Sequence, residues 1–241
     1  MLEDKFKLTK DQNRSFARSN LTHLVYITSR FEGIKATLSQ TQMIIDGLRA
    51  DDVPTDDINI IVQLKRGWQY VINSDEKLDL DFLQNVNRIV ALNESLAPGE
   101  LRTGEGGVDT ELGEYKPPMV NSEAEAGYLS ELLVNKNSSI TDKSLTLMYH
   151  LMRNQIFWDG NKRTATLVAN KLMIDNGAGL ISVPLDKWPE WNNLIAKYYM
   201  TNDMSKLKHW TYENGIQGVE LHNSRAPQLK QKLNHHKKRE R

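Results

Sequence analysis

The run Gln155-Ile-Phe-Trp-Asp-Gly-Asn-Lys-Arg-Thr164 decides the fold of this 241-residue chain. Its Asp-Gly-Asn turn stands directly before an amphipathic stretch, so the run predicts a loop that opens a helix. Glycine lets the backbone turn tightly, and the first N–H groups of the helix then point toward a region where the helix dipole favours an anion. Lys162 and Arg163 add positive charge. The run therefore predicts a phosphate-binding site.

Two further positions of the run bear on chemistry. Asp159 offers a carboxylate beside the predicted phosphates, where a hard cation such as Mg²⁺ is usually shared between protein and nucleotide oxygens. Gln155 has the hydrogen-bonding groups to orient a hydroxyl but no pKa near neutrality, so it cannot act as a general base. His150 is five residues earlier on a predicted helix, and a five-residue step directs it to a different face.

The run resembles the signature of the Fic/Doc family, which reads His-x-Phe-x-Asp/Glu-Gly-Asn-Gly/Lys-Arg-x-x-Arg/x, where the last position is a second arginine in many members. Six positions match it, and they are Phe157, Asp159, Gly160, Asn161, Lys162 and Arg163. The resemblance implies a transferase that moves AMP from ATP to a protein hydroxyl, with Asp159 holding Mg²⁺ and residues 160–163 binding the phosphates. In that family a histidine takes the hydroxyl's proton, and this chain has Gln155 at that position. Losing a positioned general base costs about 10²- to 10⁴-fold in rate.

An irregular segment, 96–118, separates two helical regions and contains five glycines and three prolines, a composition that a helix would not tolerate. Short extended pieces around Val108 and 112–115 suggest a hairpin. By resemblance to the family this hairpin is a flap, and its edge would bind an extended segment of a target protein by strand addition. The flap residues expected at the target are Val108, Thr110, Leu112 and Tyr115.

The segment Thr28-Ser-Arg-Phe-Glu32-Gly33 forms the second resemblance. Thr28 and Glu32 are four residues apart, on the face that a helix would turn toward the core. The segment resembles the inhibitory helix of Fic proteins, in which the glutamate obstructs the site of the γ-phosphate and pairs with the second arginine of the signature. Here that position is Thr166, so either Lys162 or Arg163 is the expected partner of Glu32. Doc-like members also lack this arginine, and some of them transfer a phosphoryl group.

The remaining pattern predicts an all-α protein, a Fic-type helical bundle with a small β-hairpin flap. Apolar spacing predicts helices near 20–35, 56–72, 79–94, 122–134, 141–154, 161–176, 187–200 and 204–214, with a capping box at Ser122-x-x-Glu125. We divide the chain into an N-terminal helical region with the inhibitory segment (1–95), a Fic core (96–215) and a basic tail (216–241).

Composition narrows the functional classes. The formal net charge is zero and the chain has no cysteine, so neither a global field for nucleic acid nor a disulfide or thiolate zinc site is expected. The basic stretch 230–241 lacks interleaved aromatic residues, which makes nucleic-acid binding a weak alternative. No long apolar run or hydrophobic leader is present, so we expect a cytoplasmic protein that is not membrane-bound. A homo-oligomer is compatible with the sequence.

The leading hypothesis is a Fic-like protein adenylyltransferase that uses Mg-ATP, is weakened by Gln155 and is restrained by Glu32. A catalytically inactive module that binds nucleotide or a partner is the first alternative. Doc-like phosphoryl transfer is the second.

Overall fold

The structure is a computed structural model and describes residues 2–220, so the basic stretch 230–241 lies outside the described residues. Within this range ten α-helices account for most of the chain, and the predicted all-α class is confirmed. The helices are α1 (Lys10–Ser19), α2 (Leu21–Ser29), α3 (Leu38–Ile45), α4 (Thr55–Asn73), α5 (Leu80–Val90), α6 (Ser122–Val134), α7 (Ile140–Asn154), α8 (Asn161–Asp175), α9 (Trp188–Thr201) and α10 (Ser205–Gly215).

Helix α8 lies at the centre of the bundle. Every one of its residues except Lys162 and Asp175 is buried, which fits a helix packed on by α1, α4, α5 and α7. Among its buried polar groups, the Asn170 amide donates to the Thr166 and Ile181 carbonyls and accepts from the Ile181 N–H. Because α4 and α5 pack directly on α8, the N-terminal helices and the segment after residue 95 share one hydrophobic core.

Two small antiparallel sheets complete the described chain. The predicted hairpin consists of β1 (Val108–Thr110) and β2 (Gly113–Tyr115), with Val108 opposite Tyr115. A second pair, β3 (Leu180–Ile181) and β4 (Ile216–Gln217), joins the segment after α8 to the end of α10. In the range 2–220 none of the helices has the length and apolar character needed to span a membrane.

Several predicted boundaries differ from the structure. The helix predicted from residue 20 to about 35 ends at Ser29 and continues as a single 3₁₀ turn, Arg30–Glu32, which Gly33 closes in the left-handed conformation with φ 69°. The predicted capping box at Ser122 is wrong, because the preceding residue, Asn121, caps α6 by accepting from the Ala124 N–H. An asparagine before a serine offers the same kind of acceptor one residue earlier.

Asn87, on α5, connects three segments around the motif loop. Its amide nitrogen donates to the Asp159 carbonyl at 2.8 Å and to the Thr164 hydroxyl at 3.0 Å, and its oxygen accepts from the Gly99 N–H at 2.9 Å. The residue is fully buried, so water cannot replace these bonds. Sequence periodicity placed residue 87 on a helix but gave no signal for this role.

We expect Asn87→Ala to lower the free energy of unfolding by about 1–3 kcal/mol, because it leaves the Gly99 N–H and the Asp159 carbonyl unpaired in the interior. Urea denaturation would measure the change, with Asn85→Ala on the same helix as the control. Equal stability of the two variants would contradict the role given to Asn87.

Candidate functional site

The motif loop begins where α7 ends. Gln155 is the C-cap of α7 and adopts a left-handed conformation with φ 47°. Its side-chain Nε2 donates to the Met152 carbonyl at 2.6 Å, and the Tyr199 hydroxyl donates to the same carbonyl at 2.7 Å. The carboxamide is thus turned back toward the end of its own helix, although Gln155 lines the site cavity.

Side-chain and backbone bonds hold the loop after Gln155 in a fixed shape. The Asn161 side chain accepts from the Phe157 N–H at 2.9 Å and donates to the Phe157 carbonyl at 2.8 Å. Gly160 adopts φ 70°, and a Cβ there would lie 3.0 Å from the Ala91 Cβ. A side chain at residue 160 would therefore be strained by both conformation and space. Both polar groups of the Asn161 side chain bond to Phe157, so any contribution of Asn161 to a phosphate site would come from its backbone N–H.

A cavity of about 370 Å³ lies in front of the α8 N-terminus. Its walls come from the flap, the motif loop and the 3₁₀ turn, and its lining residues are Glu32, Gly107, Val108, Asp109, Gln155, Trp158, Asp159, Gly160, Asn161 and Lys162. A neighbouring cleft of about 220 Å³ shares Val108, Asp109 and Lys162 with it and extends to Phe31 and Trp188. The structure thus brings the predicted motif, flap and inhibitory glutamate together around one cavity.

Lys162 is the cation that faces both the cavity and the cleft. Within residues 2–220 no carboxylate lies within ion-pair distance of its ammonium group. Burial lowers the pKa of Lys162, and the charge of Glu32 acts in the opposite direction. Gly160 has no side chain to cap α8, so the first N–H groups of the helix have no side-chain acceptor from their N-cap residue.

Arg163 has a different environment from Lys162. Its side chain is fully buried, and its Nε lies 2.6 Å from a Glu32 carboxylate oxygen in an ion pair without the alignment of a hydrogen bond. NH1 donates to the Glu94 carboxylate and, at 2.7 Å, to the Val90 carbonyl. NH2 is 3.5 Å from Asp159 Oδ1. The sequence predicts either Lys162 or Arg163 as the partner of Glu32, and in the structure the ion pair is with Arg163.

The position of Glu32 depends on the packing of its turn. Phe31 packs against Trp188 and Trp191, with ring centroids 5.0 and 5.7 Å away, and the two tryptophan rings also contact each other at 5.4 Å. Thr28, which we grouped with Glu32 as inhibitory, is buried, donates to the Leu24 carbonyl at 2.6 Å and accepts from Trp68 Nε1 at 3.2 Å. Thr28 therefore fixes α2 in place, and the 3₁₀ turn carries the glutamate to the cavity.

Three carboxylates surround Arg163. Burial raises the pKa of Glu32, the charge of Arg163 opposes the rise, and the charges of Glu94 and Asp159 add to it. Asp159 is the most exposed of the three, with 45% of its side chain accessible, and its carboxylate also accepts from the Gly160 N–H. Of these three carboxylates, Asp159 is therefore the most available to a cation in the cavity, and the exposed Asp109 of the flap lines the same cavity. The described residues contain no cluster of three or more metal-ligating side chains.

Arg102 fixes the flap to the motif loop. Its Nε donates to the Gln155 carbonyl at 3.0 Å, NH1 to the Gly104 carbonyl and NH2 to the Pro118 carbonyl at 2.7 Å, so one buried side chain joins both ends of the flap to the motif. At the flap tip the Thr110 hydroxyl donates to the Gly113 carbonyl, and Leu112 is exposed.

Tyr115 was expected at a target-binding surface, but the structure buries it. Its ring packs 5.2 Å from that of Tyr199, and the Arg153 guanidinium lies over it at 4.9 Å. Tyr115 therefore anchors the second strand, because the strand alternation that exposes Glu114 turns the next side chain inward. Of the other predicted flap positions, Leu112 is exposed, and Val108 and Thr110 are half-buried.

His150 and Thr166 lie away from the cavity lining. His150 Nε2 is 2.8 Å from the Glu125 carboxylate, and its ring stacks on that of Tyr128. Thr166 donates to the Lys162 carbonyl at 2.9 Å within α8 and lines an apolar pocket beneath Thr28 and Phe31. The second-arginine position of the signature thus carries no charge, and Arg163 alone meets Glu32.

The fold is a helical bundle with a hairpin over the N-terminus of its central helix. Residues 77–173 match the sequence model of the Fic/DOC family, which agrees with the resemblance of the signature. A search of curated protein sequences finds no match.

Solved structures share the fold at low sequence identity. A Fic domain containing signaling protein from Bacteroides thetaiotaomicron is 15% identical with a TM-score of 0.71, over 83% of this chain and 80% of that one. A Fic family protein from Desulfovibrio desulfuricans is 16% identical with a TM-score of 0.70, over 83% and 63% of the two chains. Fic-1 from C. elegans is 18% identical with a TM-score of 0.71, over 82% and 60%.

The raised pKa of Glu32 predicts a pH dependence of stability. A carboxyl group whose pKa is higher in the folded than in the unfolded protein stabilises the fold below its unfolded value of 4.5, and that stability is lost as pH rises through the folded pKa. We expect Glu32→Gln to gain stability relative to the natural chain as pH rises from about 4.5 toward neutrality. Urea denaturation at several pH values would measure this, and a constant difference between the two proteins would contradict it.

Proposed function

We propose that this chain binds a magnesium nucleoside triphosphate and is built as a protein adenylyltransferase with impaired chemistry and an inhibitory glutamate. The single observation that carries the proposal is the arrangement at the α8 N-terminus. Lys162, without an ion-pair partner among residues 2–220, and the uncapped first turn of α8 face a cavity that the flap covers. Such an arrangement suits a chain of phosphates.

The neighbouring cleft suits the nucleoside. It continues from Lys162 and combines the aromatic faces of Phe31 and Trp188 with the polar side chains of Asn192 and Thr110. Aromatic and apolar walls with a few polar groups are typical of sites for a flat heterocycle. A nucleotide with its phosphates at Lys162 would have its base directed toward this cleft.

The donor set fits magnesium in the company of phosphates. Asp159 supplies one accessible carboxylate at the cavity, and Mg²⁺ in nucleotide sites is commonly held by one or two carboxylates together with phosphate oxygens and water. When bound, the ion would compensate part of the phosphate charge. Asp159 would hold it, while Lys162 and the helix N–H groups would orient the phosphates.

Adenylyl transfer would form a bond between the acceptor oxygen and the α-phosphorus and would break the bond to the leaving pyrophosphate. The acceptor hydroxyl must also lose its proton. Gln155 cannot take that proton, and its amide nitrogen is already donating to Met152. Positioning and electrostatic stabilisation would remain, and these supply much of the rate in reactions at phosphorus.

The flap supports a protein acceptor. β1 and β2 pair only with each other among residues 2–220, so each strand has an outer edge free of sheet pairing there. An extended segment of a target could add to such an edge and place a Ser, Thr or Tyr hydroxyl over the cavity.

A binding module without turnover is the second candidate. The observation that favours it is Gln155, whose carboxamide donates to the Met152 carbonyl, which also accepts from the Tyr199 hydroxyl. A protein that uses nucleotide only to set the position of its flap would need the phosphate site but would not need a general base.

Nucleotide binding is the first test. We expect Glu32→Gly to bind Mg-ATP at least about fivefold more tightly than the natural chain, because it removes a negative charge from the phosphate site. Adding Lys162→Ala should weaken binding about tenfold or more, as expected for the loss of a charge-assisted contact. Isothermal titration calorimetry would measure both, with the exposed Lys136→Ala as the matched control. If Glu32→Gly does not bind Mg-ATP, the proposal fails.

The chemistry is tested by restoring the base. The variant Gln155→His with Glu32→Gly should label itself or a lysate protein when given ATP radioactive at the α-phosphate, whereas Glu32→Gly alone should be about 10²-fold slower or more. ATP radioactive at the γ-phosphate serves as the comparison. Label from the γ-position alone would show phosphoryl transfer, and label from neither would favour the binding module.

A further inference from the structure

Glu94 is a carboxylate that neither the signature nor the inhibitory segment includes. It lies on the turn that follows α5, where its N–H donates to the Ala91 carbonyl at 3.2 Å. Its carboxylate contacts Arg163 NH1, on the opposite side of the guanidinium from the Nε that faces Glu32. The Glu94 side chain is 23% exposed, whereas that of Arg163 is inaccessible.

The contacts of Glu32 and Glu94 with Arg163 differ in whether they depend on the position of the 3₁₀ turn. Glu32 stands on a single 3₁₀ turn at the cavity wall, so it can withdraw when that turn moves. Glu94 does not line the cavity, and the Val90 carbonyl accepts from the same NH1 at 2.7 Å. NH1 is therefore directed toward α5 by two acceptors that would stay in place if Glu32 left.

A buried guanidinium needs a counter-charge, because removing one partner of a buried ion pair leaves a charge in a medium of low dielectric. With both glutamates present, two carboxylates contact the single positive charge of Arg163. With Glu32 withdrawn, Glu94 would still satisfy it. A phosphate would then gain little from Arg163 and would depend on Lys162.

We propose that Glu94 is a positioning residue that keeps Arg163 turned toward α5, so that withdrawal of Glu32 alone does not make this arginine available to a phosphate. The inference rests on the proposed nucleotide site. It assigns the two basic residues of the signature different tasks in this chain: Lys162 receives phosphate, and Arg163 is held by resident carboxylates.

The proposal predicts that the effect of Glu94 depends on Glu32. In the natural chain, removing Glu94 leaves Arg163 to Glu32, so phosphate affinity should not rise beyond the change caused by the lost charge. In a Glu32→Gly background, removing Glu94 leaves the guanidinium without its main counter-ion, and phosphate becomes its best partner. Affinity should then rise by about a further fivefold or more, which is the usual lower range of coupling between sites.

A double-mutant cycle tests this. Affinity for Mg-ATP and for magnesium triphosphate, which lacks a nucleoside, would be measured by calorimetry in the natural chain, Glu94→Gln, Glu32→Gly and the double variant. Glu100→Gln, an exposed residue on the same connection, gives the effect of losing one charge without losing the contact. A merely structural Glu94 would change affinity by the same factor in both backgrounds.

Glu94→Asp covers the case in which the double variant fails to fold. It keeps the charge and shortens the side chain by one methylene, so the contact with Arg163 is lost while the field is retained. We expect it to raise affinity in the Glu32→Gly background by a factor similar to Glu94→Gln. If Glu32→Gly binds Mg-ATP but neither Glu94 variant adds to it beyond the Glu100 control, the inference is overturned and the proposed function stands. If no variant binds, both are overturned.

Discussion

The charge of Arg163 is the constraint on which the rest of the site depends. A guanidinium with no solvent access must be neutralised by its surroundings, and here three separate segments contribute a carboxylate: the turn after α2, the turn after α5 and the motif loop. The need for a counter-charge therefore links the N-terminal helices to α8 more specifically than apolar packing does. It also explains how Glu32 retains an ionic partner although residue 166 is a threonine.

The sequence predicted the fold because its strongest signals are local. The Asp-Gly-Asn turn before α8, the glycine-rich segment 96–118 and the helical periodicities each depend on residues close together in the chain, and the structure has a loop, a hairpin and helices there. The motif residues, the flap and Glu32 also meet at one cavity, which followed from the family resemblance rather than from periodicity.

The remainder of the site could not be predicted because it depends on distant contacts. Asn87 and Glu94 lie on or after α5, and nothing in their local sequence marks the first as a support for the motif loop or the second as a counter-ion of Arg163. Tyr115 was misplaced for a similar reason. Strand alternation places Tyr115 on the face opposite Glu114, but the burial of that face depends on packing against Tyr199, which is more than 80 residues away in the chain.

Glu32 stands on the shortest regular element near the cavity. A single 3₁₀ turn has few and poorly aligned hydrogen bonds, so displacing it would not disturb the helices on either side. The turn is held by the Arg30 side chain, which donates to the Ile34 and Ala36 carbonyls, and by Phe31 packed against Trp188 and Trp191, an apolar contact that carries no charge. The position of Glu32 thus depends in part on an aromatic side chain of the same turn, and we expect that weakening the contact of Phe31 with α9 would shift the carboxylate without changing any charge.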